Sequence, residues 1–398
     1  MTRGKIVVSG DQYASRYNHY ISRFVPSYTG RFAPSPTGPL HLGSLCTALA
    51  SWLDAKAHGG RWLLRIEDVD KDRCRRDHAL SIIESLRAHG LNHDGPVGWQ
   101  SRREARYEAA LSNLIRDRVV YRCRCSRRQI EEVLKKKNLE DEGRSTGEAC
   151  AQENLENDVT DREGSTGESY AHGLGIQVRR EQGFSIREHP AFEMTLAGSK
   201  ASGQIAKAFS PVMPAEQPYP GTCRASMRIE GDGAWRLIVP DSPIEFSDRL
   251  FGHQKSRLVE SIGDFVVVRA NGQSSYHLAV VVDDEKDGVT DVVRGDDLLS
   301  STGRHIALQQ LLAYREIRYC HLPVLRDAQG QKLSKQQGAK ALVPQHALEN
   351  LRQAAQHLGL GALSADSLEG FLSQATVAWA TRWIGSTSSS DRVSEAGN

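Results

Sequence analysis

The stretch Arg31-Phe-Ala-Pro-Ser-Pro-Thr-Gly-Pro-Leu-His-Leu-Gly-Ser44 predicts a tight junction between a strand and a helix. Its prolines stiffen the turn, and Gly38 and Gly43 lack a Cβ, so that the backbone can approach a ligand closely. We expect Ser44 to cap the helix, whose free N–H groups attract a phosphate or a carboxylate. His41 stands beside this helix start, where its ring can donate to a phosphate oxygen. The alternative is an ordinary proline-glycine turn with a surface histidine.

Strand and helix patterns alternate around this junction. Gly30–Ala33 predicts a short strand before it, and apolar residues recur at helical spacing from Leu45 to Leu53, until Gly59-Gly60 ends the helix. Arg61–Ile66 alternates between polar and apolar side chains, as a strand does. Two further helices are predicted, at Ala79–His89 and Arg103–Arg118. This alternation predicts an α/β fold with a parallel sheet, of the Rossmann type.

The middle of the chain differs in composition. Residues 126–218 are rich in Gly, Ser, Glu and Gln and lack a sustained period beyond a helix predicted at Ile130–Leu139, so we expect a long, largely flexible insertion. Order returns at Tyr219. Strands are then predicted at Met227–Ile229, Trp235–Val239, Asp264–Arg269 and Tyr276–Val282. Helices are predicted at Thr302–Tyr314, Gln345–Leu358 and Ser367–Ile384.

Charge and cysteine content narrow the class of protein. A net charge of +2 excludes a polybasic tail. Between Arg102 and Arg128, however, nine arginines stand against three acids. This stretch could face a polyanion, and the alternative is a solvated helix face. No apolar run is long enough to cross a membrane, and Met1–Tyr28 has no signal-peptide core. Seven scattered cysteines without an export signal indicate reduced thiols or metal ligands. We expect a cytoplasmic protein without a membrane partner.

A second basic motif, Lys332-Leu-Ser-Lys335, follows a predicted turn at Asp327–Gly330. Two lysines three residues apart on a loop can reach a triphosphate and stabilise charge that develops on phosphorus. By itself such a motif is common and is more often a solvated loop. The lysine motif indicates a phosphate site only in combination with the first motif, because both occur in one chain with a parallel sheet predicted between them.

Together the two motifs resemble those of class I aminoacyl-tRNA synthetases. The first motif usually reads His-x-Gly-His in that family, and Ser44 replaces the last histidine here, as is usual in the glutamate-specific branch. The second differs at Leu333 and Gln336 and keeps its lysines. The resemblance implies catalytic roles for His41 and Lys335 and the use of ATP with Mg²⁺. It also implies an ATP site formed by His41, Gly43, Ser44, Lys332 and Lys335.

The charges that a dicarboxylic amino acid requires are present in further segments. Arg31 and Arg294 could each grip a carboxylate, and Glu67, at the end of a predicted strand, could accept from an α-ammonium. Tyr276 adds a hydrogen-bond donor. The alternative is that Arg65, Glu67, Asp68 and Arg294 form ordinary ion pairs. The order of the segments resembles the glutamate branch from Gly30 to Cys125 and from Tyr219 to about Leu342. That resemblance implies a glutamate site formed by Arg31, Phe32, Ala33, Pro34, Ser35, Glu67, Tyr276 and Arg294.

A metal site is predicted from Cys123-Arg-Cys125 and Tyr219-Pro-Gly-Thr-Cys223. Three thiolates and one phenolate oxygen would complete a tetrahedral Zn²⁺ site, and the resemblance implies such a small zinc-binding subdomain. Buried free cysteines are the alternative. The insertion separates the two halves, but loop closure costs little more for a long loop than for a short one. Cys46, Cys74, Cys150 and Cys320 are not expected to bind metal.

The chain ends early for this branch. Only 63 residues follow Lys335, too few for an anticodon-binding domain of ordinary size. This feature resembles truncated paralogues, which implies tRNA-independent activation of L-glutamate, transfer to the queuosine base at the wobble position of tRNA(Asp), and contact with its anticodon arm. A monomer is expected. Two alternatives remain: a synthetase that charges the tRNA 3′ end, and a non-catalytic paralogue.

The predicted organisation has five parts. They are an N-terminal extension (1–28), the first half of the catalytic domain (29–125), the insertion (126–218), the zinc subdomain end with the second half of the catalytic domain (219–342), and a helical C-terminal region with a tail (343–398).

Overall fold

The computed structural model describes residues 28–137, 139, 217–326 and 340–384. The chain divides into two compact units, Met1–Ile130 with Ser199–Asn398, and Glu131–Gly198. In the second unit the described residues are 131–137 and 139, and all of them are helical. Predictions for the N-terminal extension, most of the insertion, the lysine motif and the C-terminal tail lie outside the described residues.

The first unit contains short strands and helices of mixed length. Its strands are β1 (Thr29–Phe32), β2 (Arg61–Ile66), β3 (Gly98–Trp99), β4 (Val120–Cys123), β5 (Ala234–Leu237), β6 (Ile244–Asp248), β7 (Gly252–Ser256), β8 (Val266–Val268), β9 (Asp291–Gly295) and β10 (Arg318–Leu322). Its helices are α1 (Leu42–Ala57), α2 (Arg76–Ala88), α3 (Glu104–Arg116), α4 (Leu258–Ser261), α5 (Tyr276–Asp287), α6 (Leu299–Leu311), α7 (Ala347–His357) and α8 (Leu368–Trp379).

Two sheets built mainly from parallel strands form the centre of the fold. The first has the order β1-β2-β3 and is parallel throughout. In the second, of order β7-β6-β10-β9, strand β10 runs parallel to both β6 and β9, and β7 is antiparallel at the edge. The predicted mixed α/β architecture with a parallel sheet is confirmed.

Strands β1 and β9 join the two sheets. The backbone N–H of Thr290, just before β9, donates to the carbonyl of Thr29 at 2.9 Å, and the N–H of Thr29 donates to the Thr290 hydroxyl at 2.9 Å. From this junction the connection through α1 leads to β2 on one side, and the connection through α6 leads to β10 on the other. A crevice therefore opens between the carboxyl ends of β1 and β9, the position where ligands of open α/β sheets bind.

A smaller antiparallel sheet, with the order β4-β5-β8, lies beside this centre. It shares a hydrophobic cluster with α3, α5 and α6, in which Val120, Leu237 and Leu278 are fully buried. At the end of this sheet Cys123, Tyr121 and Tyr219 form a separate small cluster.

The C-terminal helices pack onto α1. Leu351 on α7 and Phe371 and Trp379 on α8 are fully buried in the cluster that contains the apolar face of α1. The Trp379 indole N–H donates to the Asp54 carboxylate at 2.8 Å, so that the end of the described chain is tied to the first helix. The described part of the chain has no helix both long and apolar enough to cross a membrane.

Two strand predictions are wrong. The segment predicted as a strand at Tyr276–Val282 forms helix α5, which the Ser275 hydroxyl caps by accepting from the Leu278 N–H at 3.3 Å. A short apolar run does not distinguish a buried strand from a buried helix, because both lack a polar face. No strand forms at Met227–Ile229, because Met227 has a left-handed backbone with φ of 44°, which interrupts an extended chain.

Candidate active site

The first motif forms the predicted junction between a strand and a helix. Strand β1 ends at Phe32 and α1 begins at Leu42, with His41 as its N-cap. The prediction that Ser44 caps this helix is wrong. Ser44 lies inside the first turn; its N–H donates to Nδ1 of His41 at 3.4 Å, and its hydroxyl lies 2.8 Å from Nε2. The ring of His41 is acceptable as a cap because its nitrogen can accept a hydrogen bond as a Ser oxygen does.

A pocket of about 330 Å³ opens at the start of α1. Eleven of the residues predicted to bind glutamate or ATP line it: Arg31, Phe32, Ala33, Pro34, Ser35, His41, Gly43, Ser44, Glu67, Tyr276 and Arg294. They come from the ends of β1, β2 and β9 and from the starts of α1 and α5. Residues that are distant in the sequence therefore meet at the crevice between the two sheets.

Arg31 is held in the pocket wall by an acid that the sequence analysis did not assign to the site. Its Nε and Nη2 donate to the two carboxylate oxygens of Asp284, each at 3.2 Å. Asp284 also accepts from Nη2 of Arg65 at 2.6 Å, and Arg65 pairs with Asp287 at 3.3 Å. These contacts hold the pKa of the Asp284 carboxyl below its usual value despite burial. The ion-pair alternative is therefore correct for Arg65.

Glu67 lies at the carboxyl end of β2, and its backbone N–H donates to the carbonyl of Pro34 at 3.0 Å. The residue is 6% exposed, and Oε1 has no hydrogen-bond partner among the described residues. Burial raises the pKa of Glu67 to about 7, although Arg65 and Arg31 lower it. A buried carboxylate with an unused acceptor is suited to bind a cationic group of a ligand.

Arg294 faces the pocket from β9 and is surrounded by neutral acceptors. Its Nε donates to Nε2 of His321 at 3.0 Å, and its Nη2 donates to the Thr302 hydroxyl at 2.7 Å. Its Nη1 lies 3.2 Å from Nδ1 of His305. Burial lowers the pKa of His321 to about 4 and that of His305 well below its usual value. Among the described residues no carboxylate forms an ion pair with Arg294, so this guanidinium keeps its charge for a ligand.

Tyr276 is the first residue of α5 and completes the pocket near Arg294. Its ring lies 5.3 Å from that of His277 and 5.7 Å from that of His305, between ring centroids. Burial raises the pKa of Tyr276 to about 12, with Glu67 as the next contribution. The phenol is therefore neutral at physiological pH and can donate a hydrogen bond.

The two lysines of the second motif, Lys332 and Lys335, lie outside the described residues. The described chain on either side of them reaches the pocket. Leu325 lines it, and Ala341 pairs with His41 as an antiparallel bridge. The roles predicted for both lysines stay predictions.

The four predicted metal ligands also meet. The sulfur atoms of Cys123, Cys125 and Cys223 all lie within 4.8 Å of one another, and Sγ of Cys125 is 3.5 Å from that of Cys223. The hydroxyl of Tyr219 is 3.2 Å from Sγ of Cys123. Tetrahedral Zn²⁺ holds thiolates about 2.3 Å from the metal, which separates them by about 3.8 Å, so this donor set fits a metal ion. Cys46, Cys74 and Cys320 lie outside this group.

Comparison with known families adds to this geometry. A family model described as "tRNA synthetases class I (E and Q), catalytic domain" matches residues 28–172 and 223–375. The chain belongs to the class I tRNA synthetases. The two matched ranges contain the whole pocket and both halves of the metal cluster except Tyr219, so the predicted family resemblance is confirmed.

Curated relatives of this class I synthetase match it over most of their length. The glutamyl-Q tRNA(Asp) synthetase of Burkholderia cenocepacia (strain HI2424) is 41% identical over 364 residues, which cover 90% of this chain and 98% of the relative. The glutamyl-Q tRNA(Asp) synthetase of Ralstonia nicotianae is 40% identical, and the match covers 89% of this chain and 91% of that relative. A solved glutamate tRNA ligase from Elizabethkingia meningosepticum has a similar fold, with a TM-score of 0.55 and 21% identity. The match covers 87% of this chain and 64% of that ligase.

Some residues of the synthetase pocket were not predicted. Thr47, Asp297 and Leu325 line it, and Asp284, Thr302, His305 and His321 hold its arginines. The Asp283-Asp284 pair directly follows the apolar run that ends at Val282. The strand predicted for that run ends before the pair, so it gave no reason to place either carboxylate in the pocket. The histidines had no local signal, because isolated histidines occur at many buried positions.

Proposed function

We propose that this class I synthetase activates L-glutamate with ATP and transfers it to the queuosine base at the wobble position of tRNA(Asp). The observation that carries the proposal is the convergence of Arg31, Glu67 and Arg294 in one pocket beside the start of α1. The names of the relatives support the acceptor. The enzyme is thus an ATP-dependent, adenylate-forming ligase.

Charge matching orients glutamate in this pocket. Glu67 accepts from the α-ammonium, and Arg31 and Arg294 face the two carboxylates, with Tyr276 as an additional donor. Because Asp284 already compensates the charge of Arg31, Arg294 provides the stronger attraction for an anion. A neutral analogue such as glutamine would leave a buried guanidinium unpaired, which is strongly unfavourable.

The phosphates of ATP lie at the start of α1 in this proposal. The N–H groups of Leu42 and Gly43 at the helix start, the ring of His41 and the predicted lysines Lys332 and Lys335 stabilise the negative charge, with Mg²⁺ bound by the nucleotide. The α-carboxylate oxygen of glutamate attacks the α-phosphorus in line. A new bond forms between this oxygen and the α-phosphorus, the bond from the α-phosphorus to the bridging oxygen of pyrophosphate breaks, and pyrophosphate leaves, giving glutamyl-adenylate. Positioning supplies much of the rate, and no covalent enzyme intermediate is needed.

In the second step a hydroxyl oxygen of the base's cyclopentene-diol ring attacks the activated carbonyl. The ester bond forms, AMP leaves and the hydroxyl proton passes to solvent.

The anticodon arm must therefore reach the crevice. Trp99 pairs with Ile66 across β2 and β3, and Ile66 directly precedes Glu67. The exposed Arg76 and Arg102 lie over the Trp99 ring, with their guanidinium carbons 5.5 and 5.7 Å from its centroid. Arginine and aromatic groups of this kind bind single-stranded RNA bases and phosphates.

The metal cluster has a structural role in the proposal. Cys123, Cys125, Tyr219 and Cys223 would hold one Zn²⁺ per chain. The ion would fix the end of β4 to the segment after the insertion, since all four positions are filled by protein and none is left for substrate. The cluster and the C-terminal helices therefore support the catalytic domain without taking part in the chemistry.

Two assays test the proposal. Glutamate-driven exchange between ATP and pyrophosphate without tRNA should occur in the purified full chain, and its absence would favour a non-catalytic paralogue. Labelled glutamate should then pass to queuosine-containing tRNA(Asp) and not to the same tRNA without queuosine. Equal labelling of both would refute transfer to the base. Labelling of unmodified glutamate tRNA would favour a synthetase that charges the 3′ end.

A further inference from the structure

The guanidinium of Arg294 is connected to a buried carboxylate through one histidine. Arg294 donates from Nε to Nε2 of His321 at 3.0 Å, and Nδ1 of His321 lies 2.7 Å from Oδ2 of Asp248. Arg294, His321 and Asp248 are each 3% exposed or less. The three side chains come from β9, β10 and the end of β6, which are neighbours in one sheet.

These contacts allow a single arrangement of protons. An arginine can only donate, so Nε2 of His321 must be the unprotonated acceptor. The ring proton therefore lies on Nδ1 and is donated to Asp248. The Thr302 hydroxyl accepts from Nη2 of Arg294 at 2.7 Å and lies 3.1 Å from the same Nε2, which is consistent with this tautomer.

Asp248 is itself held rigidly. Its Oδ1 accepts from the N–H groups of Leu250 and Phe251 at 3.0 and 2.9 Å, and its Oδ2 accepts from the N–H of His321 at 3.0 Å. The carboxylate cannot turn without losing these bonds. The backbone of the turn between β6 and β7 and that of β10 therefore fix Asp248, and Asp248 fixes Arg294 through His321.

We propose that His321, oriented by Asp248, is a positioning residue that fixes the Arg294 guanidinium for the substrate carboxylate. The inference rests on the proposed function, since it names the origin of carboxylate affinity at the same site. An arginine with a neutral partner keeps its full charge, and a rigid partner leaves little side-chain freedom to lose on binding. Asp284 orients Arg31 in another way, because it also neutralises that charge.

Two substitutions separate the two hydrogen bonds of His321. In His321→Gln the amide oxygen replaces Nε2 and can accept from Arg294. In His321→Asn the amide nitrogen replaces Nδ1 and can donate to Asp248, but nothing reaches Arg294. We expect His321→Asn to raise the KM for glutamate about tenfold or more, as the loss of a hydrogen bond to a charged group would, and His321→Gln to restore most of the affinity. The KM for ATP should change less than twofold in both variants.

The control is His89→Gln. His89 is fully buried, lies outside the pocket and has its own hydrogen bonds to Ser85 and Asn350. The His89→Gln variant measures the general effect of replacing a buried histidine. Its KM for glutamate should stay near that of the wild type. If the Asn and Gln variants at position 321 raise the KM equally, or if Asn retains the affinity that Gln loses, His321 has only a structural role and the proposal is wrong.

A spectroscopic measurement on the wild-type chain gives an independent answer, whether or not the variants fold. The ¹⁵N signals of His321 should show protonated Nδ1 and unprotonated Nε2 at neutral pH, and the opposite tautomer or a doubly protonated ring would overturn the proposal. Absence of glutamate-driven exchange in the wild type would instead refute the proposed function, so the two failures are distinguishable.

Discussion

Glu67 and Arg65 are close without forming a full hydrogen bond. Oε1 of Glu67 lies 3.7 Å from Nη2 of Arg65, whose shorter contact is the 2.6 Å bond to Asp284. Arg65 is thus mainly committed to another acid, and the Glu67 carboxylate remains incompletely paired although it is buried. This arrangement explains why burial dominates the pKa of Glu67.

The pH dependence of glutamate activation should follow Glu67. Its pKa of about 7 in the free enzyme means that the carboxylate is ionised above that pH and protonated below it. Only the ionised form binds an α-ammonium well. We therefore expect kcat/KM for glutamate, measured by pyrophosphate exchange, to fall about tenfold per pH unit below pH 7. In Glu67→Gln the activity should be much lower and this inflection should disappear; a Gln variant with the wild-type profile would exclude Glu67 as the titrating group.

Glu67 should also make the stability of the fold decrease as the pH rises from 4.5 to about 7. Burial raises its folded pKa from 4.5 to about 7, so its contribution to stability is complete below pH 4.5 and is lost as pH rises through 7. The shift corresponds to roughly 3 kcal/mol at about 1.4 kcal/mol per pKa unit. Relative to the wild type, Glu67→Gln should therefore become more stable by about that amount between pH 4.5 and pH 8, as chemical denaturation can measure. A stability difference that does not change with pH would contradict the expectation.

Removal of the arginines on Trp99 should separate the two half-reactions. In Arg76→Ala/Arg102→Ala, transfer of glutamate to tRNA(Asp) should fall about tenfold in kcat/KM, because two cationic RNA contacts are lost. Exchange without tRNA should stay near the wild-type rate. Arg352→Ala, on α7 with a side chain 44% exposed and outside the Arg102–Arg128 stretch, is the control and should affect neither. Unchanged transfer in the double variant would remove this surface from the RNA path.

Metal analysis should find about one zinc per chain, and Cys123→Ala should lose it. The variant should also melt at a lower temperature, because structural zinc contributes directly to folding. Cys46→Ala, at a buried cysteine in α1 away from the cluster, should keep its zinc. Equal zinc contents in the Cys123 variant and the wild type would refute this ligand set.

Local sequence patterns predicted the first part of the fold well. Strand β2 has the predicted bounds, Arg61–Ile66, and α1 ends just before Gly59, whose φ of 62° a side chain would disfavour. Such signals are local, because alternation and glycine conformation depend only on neighbouring residues. The prediction failed for α5, because its segment Leu278–Val282 is buried throughout and therefore shows no helical period to detect.

The residue types of the candidate site were also visible in the sequence, as two arginines, one glutamate and a junction rich in proline and glycine. Their electrostatic roles were not. Asp284 neutralises Arg31 across 253 positions of sequence, whereas the partners of Arg294 are neutral histidines and a threonine. Sequence alone identified two arginines and one glutamate of this pocket. Only the tertiary structure showed that Asp297 also lines it and decided which charges are already paired, because pairing depends on distances between strands that are far apart along the chain.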